Sequence, residues 1–127
     1  MEHVINLFVY GTLKRGHGNH RLLEGAEFIG RDEAPGRMYA GGVPVVKPVG
    51  RSPGEAGEWV KGEVYAVPLT MLPRIDRLEG HPDGYTRTTV TLRSGRSAEI
   101  YYWLHSVDHR DYEPSGEWVS DFARFDV

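Results

Sequence analysis

The chain has 127 residues, 39% of them hydrophobic, which suffices for one core and is too thin for two, so residues 1–127 are read as a single domain. A formal net charge of -3, with Lys and Arg scattered rather than clustered, supplies no broad positive field for phosphates and argues against a nucleic-acid partner. The absence of cysteine excludes a disulfide scaffold, a thiol nucleophile and a thiolate zinc site, and is compatible with a reducing compartment.

Sixteen glycines and eight prolines suit short strands joined by sharp turns better than a helical bundle. At the start, Met1-Glu2-His3 lacks the basic opening of a leader, and no apolar run approaches the roughly 20 residues needed to cross a bilayer. A cytoplasmic protein with no membrane partner is expected. Ile5 to Tyr10 reads as a buried strand at the centre of a sheet, stopping at Gly11. Asn19 is placed to cap a short turn through Arg21-Leu22-Leu23, closed by Gly25. Strand pieces then follow at Glu27–Ile29, Arg37–Tyr39 and Val43–Val46, broken by Gly30, Pro35-Gly36, Gly41-Gly42 and Pro44. A polar, turn-rich surface loop over 49–57 leads into a strand from Trp59 to Val67.

Leu69 to Glu79 is the best helix, with Thr70 as a cap, Pro73 in the first turn and Gly80 as its stop. After the turn His81-Pro82-Asp83-Gly84, Tyr85–Leu92 and Ala98–Leu104 form a hairpin around Ser94-Gly95. Trp118, Phe122 and Phe125 stand at helical spacing in the tail. This order lacks the regular strand and helix alternation of a doubly wound sheet, so the fold class is α+β with a barrel-like sheet. No heptad or amphipathic surface helix stands out, and a monomer is expected.

On a helical wheel Met71, Leu72 and Ile75 share an arc that also contains Glu79, while Arg74 and Arg77 fall opposite. A carboxyl held among apolar side chains at the negative end of a helix dipole has a raised pKa, as a neutral-pH proton shuttle requires. A carboxylate at the edge of the stripe that turns to solvent fits the same pattern. The second feature is Tyr10-Gly11-Thr12-Leu13, where successive backbone N–H groups can converge on an anion such as a substrate carboxylate.

Other chemistries fail on their essential residues. Gly11 and Gly16 have phosphate-loop spacing but are followed by His17-Gly18 in place of Lys-Ser/Thr, and Gly16-His17-Gly18 lacks the third glycine of a dinucleotide fingerprint. His17, His20, His81, His105 and His109 form no His-Glu-x-x-His pattern, so no metal is expected. Ser52, Ser94 and Ser115 lie in turn-like sequence without a nucleophile elbow. Tyr85, Tyr101, Tyr102 and Trp103 are core candidates on the hairpin, although Tyr85 follows the Glu79 helix closely enough to bring its hydroxyl to the same cavity.

Leu7-Phe8-Val9-Tyr10-Gly11-Thr12-Leu13-Lys14-Arg15-Gly16 with Asn19-His20 resembles the N-terminal signature of γ-glutamylamine cyclotransferases, within the γ-glutamyl cyclotransferase-like superfamily. Gly62-Glu63-Val64-Tyr65-Ala66-Val67, Ile75-Asp76-Arg77-Leu78-Glu79-Gly80 and Tyr85-Thr86-Arg87 look like that family's middle strand, catalytic-glutamate helix and following strand, and Gly116-Glu117-Trp118 is similar to the tail of bacterial members. The resemblance implies a small mixed β-barrel with flanking short helices, Glu79 as the catalytic residue, and a substrate site of Tyr10, Gly11, Thr12, Leu13 and Tyr85. It further implies a small-molecule γ-glutamyl substrate, 5-oxoproline and a free amine as products, and no cofactor. A γ-glutamyl amide hydrolase and a non-catalytic binding module of the same fold remain alternatives, and the segment 41–57 is the candidate for the leaving-group side.

Overall fold

The computed structural model describes residues 3–49 and 58–118. A five-stranded sheet has the order β2-β5-β1-β7-β6, formed by β1 (Val4–Val9), β2 (Glu27–Pro35), β5 (Trp59–Pro68), β6 (Tyr85–Thr91) and β7 (Ser97–Trp103). Two short strands, β3 (Arg37–Tyr39) and β4 (Val45–Lys47), pair separately. The single α-helix among the described residues, α1 (Leu72–Glu79), connects β5 to β6 through a 3-10 turn at Leu69–Met71 and the turn at 80–84.

The strand β1 is central, as its largely apolar run predicts: it lies antiparallel to β5 and parallel to β7. Both of its faces are buried. Leu7 and Val9 join Tyr65, Val67, Tyr101 and the helix residues Leu72 and Ile75 on one side, while Phe8 and Tyr10 join Val64, Ile100, Tyr102, Met38 and Val46 on the other. The helix therefore covers one face of the sheet, and the small β3–β4 pair covers the other together with Leu92 and Trp118.

The mixed α+β architecture is the expected one, but the sheet is curled rather than closed. Hydrogen bonds bridge its edges where the β6–β7 turn reaches β2: the Arg93 N–H donates to the Glu33 carbonyl (2.8 Å), Arg93 pairs with Glu33 (3.0 Å), and Ser94 Oγ donates to Asp32 (2.5 Å). Along the rest of the gap β2 presents Glu27 and Arg31 and β6 presents Thr88, Thr89 and Thr91 to solvent, polar edges that do not pair.

Several boundaries differ from the sequence reading. The strand β2 continues past Gly30 to Pro35, because a bulge between Phe28 and Gly30 absorbs the irregularity and an edge strand tolerates a terminal proline. Thr70 does not cap: the chain enters α1 from the 3-10 turn without a side-chain cap, with Pro73 in the first turn. Asn19 precedes a 3-10 turn at His20–Leu23 but makes no capping bond. The helix stop at Gly80 (φ 70°) is as expected, with the His81 N–H on the Asp76 carbonyl at 2.9 Å. Trp118 is buried, whereas Phe122, Phe125 and the loop at 50–57 lie outside the described residues. No helix among the described residues is long and apolar enough to cross a membrane.

Candidate active site

Where β1 leaves the sheet its backbone opens onto a cavity of about 220 Å³. Tyr10, Gly11, Thr12, Leu13, Glu79 and Tyr85, each singled out in the sequence, all line it. So do Val43 and Pro44 from the expected leaving-group segment, Asn19, Leu78 and Tyr101, which the sequence reading did not assign to a site, and the β1 residues Phe8 and Val9.

The loop after β1 folds back on itself. The Lys14 N–H donates to the Gly11 carbonyl (3.0 Å), the Asn19 N–H to the Thr12 carbonyl (2.9 Å), and Asn19 Nδ2 to Thr12 Oγ1 (2.9 Å). Asn19 is thus a clasp across the loop and not a helix cap. The carbonyls of Gly11 and Thr12 are used, but among the described residues the N–H groups of Gly11, Thr12 and Leu13 donate to nothing. Uncommitted amides beside a cavity suit an anionic ligand group. Gly11 has no positive φ; what the position requires is space, since a Cβ there would lie 3.1 Å from Pro44 Cγ.

Glu79 is half-buried on the last turn of α1, with Arg74 and Arg77 exposed on the far side as the wheel predicts. Burial pushes its carboxyl up from 4.5 to about 7, and among the described residues no hydrogen bond or ion pair satisfies it. It is the group whose protonation is balanced near neutrality. The neighbouring phenols are not: burial first, then the charge of Glu79, pushes Tyr85 up to about 12, and burial holds Tyr10 well above the usual range. Each phenol also has a structural partner. Tyr10 donates to the Tyr101 carbonyl (2.5 Å), Tyr85 to the Pro44 carbonyl (2.8 Å), and Tyr101 to Asp76 Oδ1 (2.6 Å).

The helix is fixed to the sheet one turn before Glu79. Arg87 on β6 grips Asp76 through Nε (3.0 Å) and Nη2 (3.3 Å) and turns its Nη1 to Glu99 on β7 (2.9 Å). Opposite, Val43 and Pro44 form the far wall, held by the Tyr85 hydroxyl on the Pro44 carbonyl and by Arg110 Nη1 on the Val43 carbonyl (2.7 Å). Part of the expected leaving-group segment therefore reaches the cavity, through Val43 and Pro44; its residues 50–57 lie outside the described residues.

The histidines have local roles. His20 Nδ1 lies 2.9 Å from the Leu13 carbonyl, His81 Nδ1 accepts the Arg87 N–H (3.0 Å), and His17 packs against Trp118 with ring centroids 5.3 Å apart. Among the described residues no three His, Asp or Glu side chains assemble into a metal-holding group.

Residues 7–120 match the protein family described as Gamma-glutamyl cyclotransferase, AIG2-like. A gamma-glutamylaminecyclotransferase of Bos taurus is 43% identical over 130 residues, covering 87% of this chain and 77% of the relative. A Methanocaldococcus jannaschii protein with a provisional gamma-glutamylcyclotransferase name is 36% identical over 126 residues, covering 88% of this chain and 98% of its own. The crystal structure of an AIG2-like protein from Mus musculus superposes with a TM-score of 0.74 at 27% identity, covering 94% of this chain and 90% of that one.

Proposed function

The chain belongs to the Gamma-glutamyl cyclotransferase, AIG2-like family, and from that premise we propose that it cleaves γ-glutamyl amides by intramolecular cyclisation, releasing 5-oxoproline and a free amine. The observation that carries this reading is the unpaired Glu79 carboxyl, held at about 7 in the same cavity as the uncommitted amides of Gly11, Thr12 and Leu13.

A γ-glutamyl amide brings its own nucleophile. With its α-carboxylate on the loop amides, its α-ammonium meets Glu79, which takes a proton so that the nitrogen lone pair can attack the γ-carbonyl carbon. The new C–N bond closes a five-membered ring. As the tetrahedral species collapses, Glu79 gives its proton to the leaving nitrogen, the bond to that nitrogen breaks, and the ionised Glu79 takes the surplus proton from the ring nitrogen and passes it to the departing amine, which leaves as an ammonium. No water is consumed, so the products sum to the substrate. A carboxyl with a pKa near the working pH serves both half-steps, because neither proton transfer is strongly uphill. The name of the Bos taurus relative supports γ-glutamylamines as substrates.

The test is to incubate the protein and its Glu79→Gln variant with γ-glutamyl-ε-lysine and γ-glutamyl-alanine and to follow 5-oxoproline and glutamate by mass spectrometry. The expected outcome is 5-oxoproline from the parent and almost none from the variant. Free glutamate in its place would mean hydrolysis, and full turnover by the variant would remove Glu79 from the mechanism.

A further inference from the structure

Ring closure places a negative charge on the γ-carbonyl oxygen, a charge that the proton transfers of Glu79 between the two nitrogens leave unmet. Among the described residues no Lys, Arg or His lines the cavity, so the donor that meets it is a neutral one. Three phenols line the cavity, and each has spent its proton: Tyr10 on the Tyr101 carbonyl, Tyr85 on the Pro44 carbonyl and Tyr101 on Asp76 Oδ1. Apart from Glu79, the lining side chains that still carry a donor are Thr12 and Asn19.

The bond between these two has a direction. Asn19 Nδ2 donates to Thr12 Oγ1 at 2.9 Å, so Thr12 is the acceptor there, and its own hydroxyl proton has no acceptor among the described residues. A hydroxyl that already accepts one hydrogen bond is polarised into a better donor. The main chain secures the same pair, because the Asn19 N–H donates to the Thr12 carbonyl at 2.9 Å. Thr12 is thus tied twice across a loop that lines the cavity, and the one donor it has left is its hydroxyl proton together with its own N–H.

We propose that the Thr12 hydroxyl donates to the γ-carbonyl oxygen as it becomes an oxyanion, and that Asn19 is the positioning residue that fixes the hydroxyl for that bond. This rests on the cyclotransferase reading. As the nitrogen lone pair forms the new C–N bond, the π electrons of the carbonyl move onto oxygen and the hydrogen bond from Thr12 strengthens. As they return, the bond to the leaving nitrogen breaks. Thr12 keeps its proton throughout. The loop amides stay with the α-carboxylate, so the hydroxyl acts on the transition state more than on the bound substrate, and its loss belongs in kcat.

The parent, Thr12→Val, Thr12→Ser and Asn19→Ala are assayed for 5-oxoproline with whichever of γ-glutamyl-ε-lysine and γ-glutamyl-alanine the parent turns over faster. Valine keeps the shape of threonine without the hydroxyl, Thr12→Ala serves as a second hydroxyl-free variant, and circular dichroism checks that each is folded. The expected result is a kcat about 100-fold lower in Thr12→Val and within about fivefold of the parent in Thr12→Ser. Calorimetric titration of the same compound into Glu79→Gln, with and without Thr12→Val, should give affinities within about threefold of each other. Asn19→Ala keeps the backbone bond to the Thr12 carbonyl. It should lower kcat about tenfold in the parent and less than about twofold where Thr12→Val is already present, because its effect runs through the hydroxyl. A folded Thr12→Val with kcat near the parent's overturns the proposal. So does a loss of binding as large as the loss in kcat/KM, which would put the hydroxyl on the carboxylate of the bound substrate. An Asn19→Ala cost that persists in full beside Thr12→Val removes Asn19 as the positioning residue. No 5-oxoproline from the parent overturns the cyclotransferase reading and, with it, the reaction in which this oxyanion forms.

Discussion

Asp76 and Glu79 stand one turn apart on α1, and their carboxyls are displaced in opposite directions. Burial works against the Asp76 carboxylate, yet hydrogen bonds from Tyr101 and Arg87 and the Arg87 charge outweigh it and hold its pKa below the ordinary value. Glu79 has the burial without the partners and rises to about 7. One carboxylate thus anchors the helix as a permanent anion, and that anchoring keeps the other at the cavity with its proton in balance.

Removing the anchor charge should therefore damage activity through geometry. In Asp76→Asn the Tyr101 hydroxyl can still donate to the amide oxygen, but the ion pair with Arg87 is gone. The expected cost is about 1–2 kcal/mol of stability, since a hydrogen bond to a charged group is involved. A fall in kcat at temperatures where circular dichroism shows the variant fully folded is also expected. Unchanged kcat in a folded variant would show that Glu79 does not depend on this anchor.

The pH dependence of stability should carry the signature of Glu79. Its folded pKa of about 7 lies above the 4.5 of the unfolded chain. Below 4.5 the group is protonated in both states and burial costs it nothing. As pH rises through that window the unfolded chain gives up the proton while the folded protein retains it, so stability falls and the full cost is present above about 7. Glu79→Gln should raise the Tm at pH 8 and converge on the parent near pH 4. A variant less stable than the parent at pH 8 would contradict the buried, unpaired carboxyl.

Catalysis should titrate with the same group. If Glu79 must be ionised to take the ammonium proton, kcat/KM rises with pH along an acid limb whose apparent pKa is near 7. Carbon-13 NMR of the glutamate side-chain carboxyls supplies an independent reading. One resonance should titrate near neutrality in the parent and be missing in Glu79→Gln, and a profile flat from pH 5 to 8 would be the contrary outcome.

The parts of this site that were legible in sequence are those written locally. A largely apolar run marks β1, the 3.6-residue period puts Glu79 on the buried arc of α1, and Tyr85 is near because only a short turn separates it from that helix. What escaped is written in contacts that no local period announces, within one folded loop or between distant segments. Asn19 has the sequence position of a helix cap, and only the folded loop reveals Thr12 as its partner. Pro44 and Val43 read as strand-breaking and strand residues, and nothing near them announces Tyr85 and Arg110 as the groups that hold their carbonyls. Local periodicity reports which face a side chain occupies; it is silent about how an irregular loop closes on itself and about contacts across forty or more residues.

Two glycines test the difference between a position that serves the fold and one that serves the cavity. At Gly62 a Cβ would lie 2.3 Å from the Val9 carbonyl oxygen and 2.5 Å from Phe8 Cζ, beneath the central strand, where backbone and a fully buried ring cannot give way cheaply. Gly62→Ala is expected to lose about 1–3 kcal/mol of stability by overpacking. At Gly11 the added methyl meets only the Pro44 ring at 3.1 Å, and both residues line the cavity. A shift of a few tenths of an ångström in that wall relieves the contact, so Gly11→Ala should keep a Tm close to the parent's. Its effect belongs in KM, expected to rise several-fold, because the wall is displaced and the space beside the Gly11, Thr12 and Leu13 amides narrows. Thermal melts and steady-state kinetics on both variants check this, and a Gly11→Ala protein that is strongly destabilised with an unchanged KM would move Gly11 from the binding site to the core.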